Sequence, residues 1–187
     1  MKKIHRDLYA ATAAPALVDV PDLPCLMADG ASAPSDPLYL STIEGMYGVA
    51  YAIRAELKPI LTYSVAPLEG QWDGDPADLT SMRWTSLIPQ PEQVTPEMVE
   101  RAVNTVRSRK PSARVDGVRL ETSAEGRSAQ ILHTGPFSEE PPTVERLMRF
   151  VAEQGLTVAG RHHEIYLSDW RRTAPEKVRT IIRYPVR

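Results

Sequence analysis

The chain has 187 residues, of which 42% are hydrophobic and 25% charged, the make-up of a folded globular protein and not of a disordered one. Its 22 Lys and Arg against 24 Asp and Glu leave a formal net charge of -2, so no global positive field draws it to phosphates, and direct nucleic-acid binding is not expected. One cysteine, Cys25, excludes an internal disulfide and a cysteine-rich zinc site, and no apolar run approaches the roughly 18 residues of a membrane span, so a soluble, cytoplasmic protein is expected.

Proline is abundant, 17 residues, and must punctuate many short elements. Residues 9–24 hold three prolines and several alanines and read as a partly extended lead-in to a short strand, Leu23–Ala28, ended by Asp29-Gly30. Ser35-Asp36-Pro37 supplies a cap and a first-turn proline for a helix over about 38–58. Its apolar stripe is Ile43, Met46, Ala50, Ile53 and Leu57. Leu61–Ala66 and Met82–Ile88 are the next strand expectations.

Thr95-Pro96-Glu97 repeats the cap-plus-proline start, and Val99, Ala102, Val103 and Val106 stripe a second helix with a basic C-terminal end, where cations suit the helix dipole. Val118–Ser123 and Ser128–His133 read as a hairpin about the glycine of Ala124-Glu125-Gly126-Arg127. A third helix follows Pro141-Pro142, carries Val144, Leu147, Met148 and Val151 on one face, and ends at Gly155. Strands His163–Ser168 and Arg179–Tyr184 close the chain, parted by a polar loop with one helical turn. Both halves thus read β-α-β-β. The expected fold is α+β: two such modules related by a pseudo-twofold, forming a curved antiparallel sheet with helices on one face and a ligand cleft on the other. The expected boundaries are 17–92 for the first module, 93–115 for an extra helix and linker, and 116–187 for the second.

Two-residue alternation sets Ile165 and Leu167 on one strand face and Glu164, Tyr166 and Ser168 on the other. If the aliphatic pair meets the helices, Glu164 faces the cleft, where a half-buried carboxylate needs a donor, a cationic ligand or a raised pKa. A solvated Glu164 paired with Arg183 is the structural alternative. Tyr63, Trp72, Trp84 and Trp170 fall on or beside the strands and are candidate ring walls for a flat or cationic molecule, although each ring also suits ordinary core. Glu69 is a reserve carboxylate, and His133 a candidate proton donor. His162 and His163 are adjacent on a strand, point to opposite faces and do not readily share an ion, so no metal is expected. No His-Glu-x-x-His, Gly-x-Ser-x-Gly or phosphate-loop pattern occurs, and no cofactor is expected.

Several runs carry a family resemblance: Leu17–Pro21 with Met27–Gly30, Pro67-Leu68-Glu69-Gly70-Gln71-Trp72, Thr95-Pro96-Glu97, Ile131–Pro136, and above all His162–Lys177. Over nearly its whole length the chain resembles stand-alone members of the GyrI-like small-molecule-binding family, with Trp170 standing where the family pattern has proline. The resemblance implies paired modules with ligands bound between them and a functional glutamate at Glu164. It also implies bulky aromatic or cationic small molecules as ligands. Some relatives hydrolyse the cyclopropane of DNA-alkylating cyclopropanoid antibiotics. In that reaction Glu164 would act as general base and Tyr166 or His133 would donate to the oxygen that gains charge, with Tyr63, Trp72 and Trp84 stacking on the ligand. Detoxification by binding, with or without turnover, is the leading expectation. The alternatives are a non-catalytic multidrug sensor and a regulatory protein that contacts gyrase.

Overall fold

The computed structural model describes residues 6–74, 78 and 81–187. Its strands are β1 (Ala16–Val20), β2 (Leu23–Ala31), β3 (Glu69–Asp73), β4 (Arg83–Pro89), β5 (Arg119–Ser123), β6 (Gly126–Thr134), β7 (His162–Tyr166) and β8 (Arg179–Pro185). Its α-helices are α1 (Pro37–Leu57), α2 (Pro96–Arg109) and α3 (Pro141–Glu153). No helix among the described residues is long and apolar enough to cross a membrane. The fold is α+β, and within each group of paired strands described below the pairs are antiparallel.

The chain forms two compact units. Unit 1 takes Leu23–Ser123, and unit 2 takes the N-terminal segment to Asp22 together with Ala124–Arg187. In unit 1 the strands run β3-β4-β2-β5, and in unit 2 β1-β6-β8-β7. Each unit therefore holds the expected β-α-β-β series, β2-α1-β3-β4 or β6-α3-β7-β8, with one more strand beside the first.

Those added strands overturn one sequence expectation. β5 and β6 make no hairpin: β5 pairs with β2, Leu23 opposite Ser123, while β6 lies between β1 and β8. The turn signal is real, Gly126 having a φ of +64°. However, Glu125 is buried against His163 and Arg183 and does not sit at an exposed tip, so the chain is drawn out of one unit and into the other. The same long-range pairing makes a regular strand of residues 16–20, which the prolines around them obscured.

The helix starts follow their local chemistry. Asp36 caps α1 by accepting from the Leu38 amide at 2.7 Å, and Thr95 caps α2 by accepting from Met98 at 3.4 Å, each just before a first-turn proline. The expected strand at 61–66 is absent, and β3 starts later, at Glu69. Proline at 59 and 67 discourages a ladder there, and side chains satisfy the backbone instead: Arg54 Nε donates to the Tyr63 carbonyl at 2.8 Å, and the Leu68 amide donates to the Tyr47 hydroxyl at 3.1 Å.

Unit 1 buries Ile43, Met46, Ala50, Ile53 and Leu57 of α1 with Leu26, Leu87 and Ile88 of the sheet. Gly30 is required here, because a Cβ on it would lie 2.1 Å from the indole of Trp84, its cross-strand partner. In unit 2, Ala129, Ile131, Ile182 and Val186 pack under Leu147 and Val151 of α3. Burying side chains of this size stabilises by roughly 1.5–3 kcal/mol each.

Candidate active site in unit 2

Strand register decides which way the site residues look. Directly opposed residues share a face, and Glu164 opposes Ile182, which opposes Ile131. Ile131 and Ile182 pack against α3, so Glu164 lies on the α3 face, and Ile165 looks away with Ile181 and Leu132. Ile165 is therefore not helix-facing, so the condition under which Glu164 would face away from the helices is not met. The carboxylate takes its place on that face because polar groups at the start of α3 and on the sheet meet it there.

The first of these is His162, two residues along the strand and on the same face. Its Nε2 lies 2.9 Å from Glu164 Oε1, and its Nδ1 lies 2.7 Å from the Tyr184 hydroxyl. A carboxylate only accepts, so Nε2–H donates to Glu164, while the Tyr184 hydroxyl, which can donate or accept, closes the bond at Nδ1. Burial first, and then the charges of Glu164 and Glu140, push the Tyr184 phenol up to about 12.

The second is Glu140, the residue before α3. Residues at such a position ordinarily turn their side chain onto an amide of the first turn. Here Pro141 and Pro142 remove two of those amides, and Glu140 makes no capping bond. Its carboxyl turns instead toward Glu164 and His162, so that one ligating atom from each of the three lies within 4.8 Å of the others. Glu140 is 7% exposed, and its Oε1 has no hydrogen-bond partner among the described residues. Burial, and then the charge of Glu164, push its pKa up to about 9, so it carries its proton at neutral pH.

Beyond this trio lies a group of rings. Tyr166 meets Phe137 edge-on at 5.9 Å and Trp170 at 4.9 Å, and Phe137 meets Trp170 at 6.1 Å. Arg171 lies over the Trp170 ring, its guanidinium carbon 5.6 Å from the centroid. His133 is buried, donating from Nε2 to the Pro136 carbonyl at 3.2 Å and accepting at Nδ1 from Thr143 at 3.0 Å. Both ring nitrogens are thereby engaged in holding the loop before α3.

The remaining candidates belong to unit 1. Trp72 and Trp84 oppose each other across β3 and β4, and both pack on Tyr39 of α1, at 5.4 and 4.9 Å. The Trp84 indole also donates to Ser32 Oγ at 3.2 Å. Tyr63 is buried, its phenol raised to about 12 by desolvation against the opposing charge of Arg54. Glu69 is buried at the start of β3.

Arg183 is not a partner of Glu164. It opposes His163 on the other sheet face, where Glu125 accepts from His163 Nδ1 at 2.7 Å and from Arg183 at 3.3 Å. Burial alone would raise the Glu125 pKa; His163 and Arg183 outweigh it and bring the carboxyl down to about 2. Sequence reasoning therefore selected Glu164 and missed Glu140, His162 and Tyr184. For His162 a signal existed, since two-residue spacing puts it on the face of Glu164. The other two reach the site through tertiary contacts that local pattern does not encode.

The model of the GyrI-like small molecule binding domain matches residues 86–187. A search of curated protein sequences finds no match. Among solved structures, an uncharacterized conserved protein from Listeria innocua is 37% identical, with a TM-score of 0.93 over 100% of this chain and 98% of that one. Two structures described as a hydrolase from the same organism are 38% and 36% identical, with TM-scores of 0.89 and 0.91 and the same coverage.

Proposed function

The chain belongs to the GyrI-like small-molecule-binding family, and we propose that it protects the cell by binding planar aromatic or cationic small molecules and hydrolysing a strained electrophilic ring in them. The observation that carries this reading is the pair of facing carboxyl groups of Glu140 and Glu164, the first buried and without a capping bond, the second within 2.9 Å of His162 Nε2. Two similar Listeria innocua structures described as a hydrolase support it.

The chemistry can be written for a cyclopropane conjugated to a ring carbonyl. Glu164, oriented by His162 and backed by the buried acid, accepts a proton from water. The water oxygen bonds to the less hindered cyclopropane carbon as the strained carbon–carbon bond breaks. The released electron pair moves through the ring to the carbonyl oxygen, which becomes a phenolate and takes a proton to give the phenol. Tyr166 sits two residues from Glu164 on the same face, about 6.6 Å along the strand, a spacing that suits donation to an oxygen across the ligand ring. Phe137 and Trp170 flank Tyr166 and supply stacking surface.

Incubation with a panel of cyclopropanoids and mass analysis of the products tests the reading. Ring-opened phenol is expected, and Glu164→Gln should slow its formation about 100-fold or more. An unchanged rate in that variant removes Glu164 as the base. Ligands recovered intact, with quenched tryptophan fluorescence, would leave a binding protein without turnover.

A further inference from the structure

We propose that Glu140, His162 and Glu164 form a binding site for one divalent transition-metal ion of the zinc class. This goes beyond the hydrolytic reading and does not depend on it. Two of the ligands come from alternate positions of β7, which face the same way. The third comes from the residue before α3, which the two prolines leave without a capping role. Their ligating atoms already lie within 4.8 Å of one another, and His162 Nε2 and Glu164 Oε1 are 2.9 Å apart. Four-coordinate zinc with bonds of about 2.0–2.1 Å needs ligand atoms roughly 3.3 Å from each other. The histidine and Glu164 need only open slightly, and no pair of ligand atoms need close by more than about 1.5 Å, a side-chain adjustment.

Independent support comes from Glu140 itself. Its side chain is buried, its Oε1 has no hydrogen-bond partner among the described residues, and one of its carboxylate oxygens lies within 4.8 Å of the ligating atoms of His162 and Glu164. Such an atom ordinarily marks a missing ligand. Neither Glu140 nor Glu164 is bridged by an arginine or lysine among the described residues, His162 being the one basic group in contact. The histidine is also held from its far side. Tyr184 meets His162 Nδ1 at 2.7 Å, and its oxygen can accept a proton held there, leaving Nε2 free for the ion. One imidazole with two carboxylates favours zinc over magnesium, which prefers all-oxygen surroundings. Three protein ligands leave the fourth position open.

The test is calorimetric titration of the chelator-treated full chain with zinc chloride, with magnesium chloride in parallel. One zinc per chain, saturable, with no matching magnesium uptake, is expected. His162→Ala and the near-isosteric Glu140→Gln should each weaken zinc binding at least about tenfold, with circular dichroism confirming that each variant is folded. No saturable uptake at millimolar zinc, or uptake that survives both substitutions, overturns the site. Ring-opened product formed in excess EDTA is scored separately, so the hydrolytic reading and the metal site stand or fall independently.

Discussion

The two faces of the unit 2 sheet each bury a glutamate, and the two carboxyls behave in opposite ways. Glu125 accepts from His163 and Arg183 and is held at about 2; Glu140 meets another carboxylate and rises to about 9. Both are removed from water to a similar degree, so burial does not separate them. The partner does. An acid matched by cations holds the structure together, whereas an unmatched acid remains chemically available, at a cost to stability that functional sites commonly carry.

The sharpest way to break the contrast is to remove the cation. Arg183→Met should destabilise unit 2 by about 3–5 kcal/mol, because it strips Glu125 of a buried partner. It also frees the Leu8 carbonyl and Gln130, which Arg183 holds at 2.7 and 2.9 Å. Urea unfolding measures the loss, and a change below 1 kcal/mol would contradict the role given to this pair.

The pH dependence of stability should show both acids with opposite slopes. The folded value of Glu140 lies above the ordinary 4.5, so the stability it contributes is fully present below that pH and is lost as pH rises toward 9. The folded value of Glu125 lies below 4.5, so its contribution is present above that pH and is lost as pH falls toward 2. Urea midpoints across this range should therefore flatten on the alkaline side in Glu140→Gln, which should also be the more stable protein at pH 8. On the acid side the flattening should appear in Glu125→Gln. Equal slopes in parent and variants would refute the assignment.

The smallest effect is expected from Tyr184→Phe, which removes the bond to His162 and nothing else, at about 1 kcal/mol. Thermal melts measure it, and a loss several times larger would mean that the phenol supports more than the histidine ring.

Much of the secondary structure is legible in the sequence, because its signals are short-range. Asp36-Pro37, Thr95-Pro96 and Gly155 mark helix ends through the chemistry of a single turn. The stripes of α1 and α3 identify their buried sides correctly. Leu61–Ala66 misleads because its apolar content is real, with Tyr63 and Ala66 buried, while the Tyr63 carbonyl is held by Arg54 and no strand ladder forms. In the site, Glu164 and Tyr166 stand out by alternation alone. Their orientation does not, since the aliphatic residues of β7 give no sign of which sheet face α3 covers.

Local sequence thus determined the helices and their caps, the α+β class and the two-residue alternation that groups His162, Glu164 and Tyr166. Tertiary structure alone decided that β5 and β6 part company, that the Glu164 row lies under α3, and that Glu140 and Tyr184 meet it there. The physical reason is range: propensity and capping act within a turn, whereas register and the company of a buried charge are settled by residues far apart in the chain.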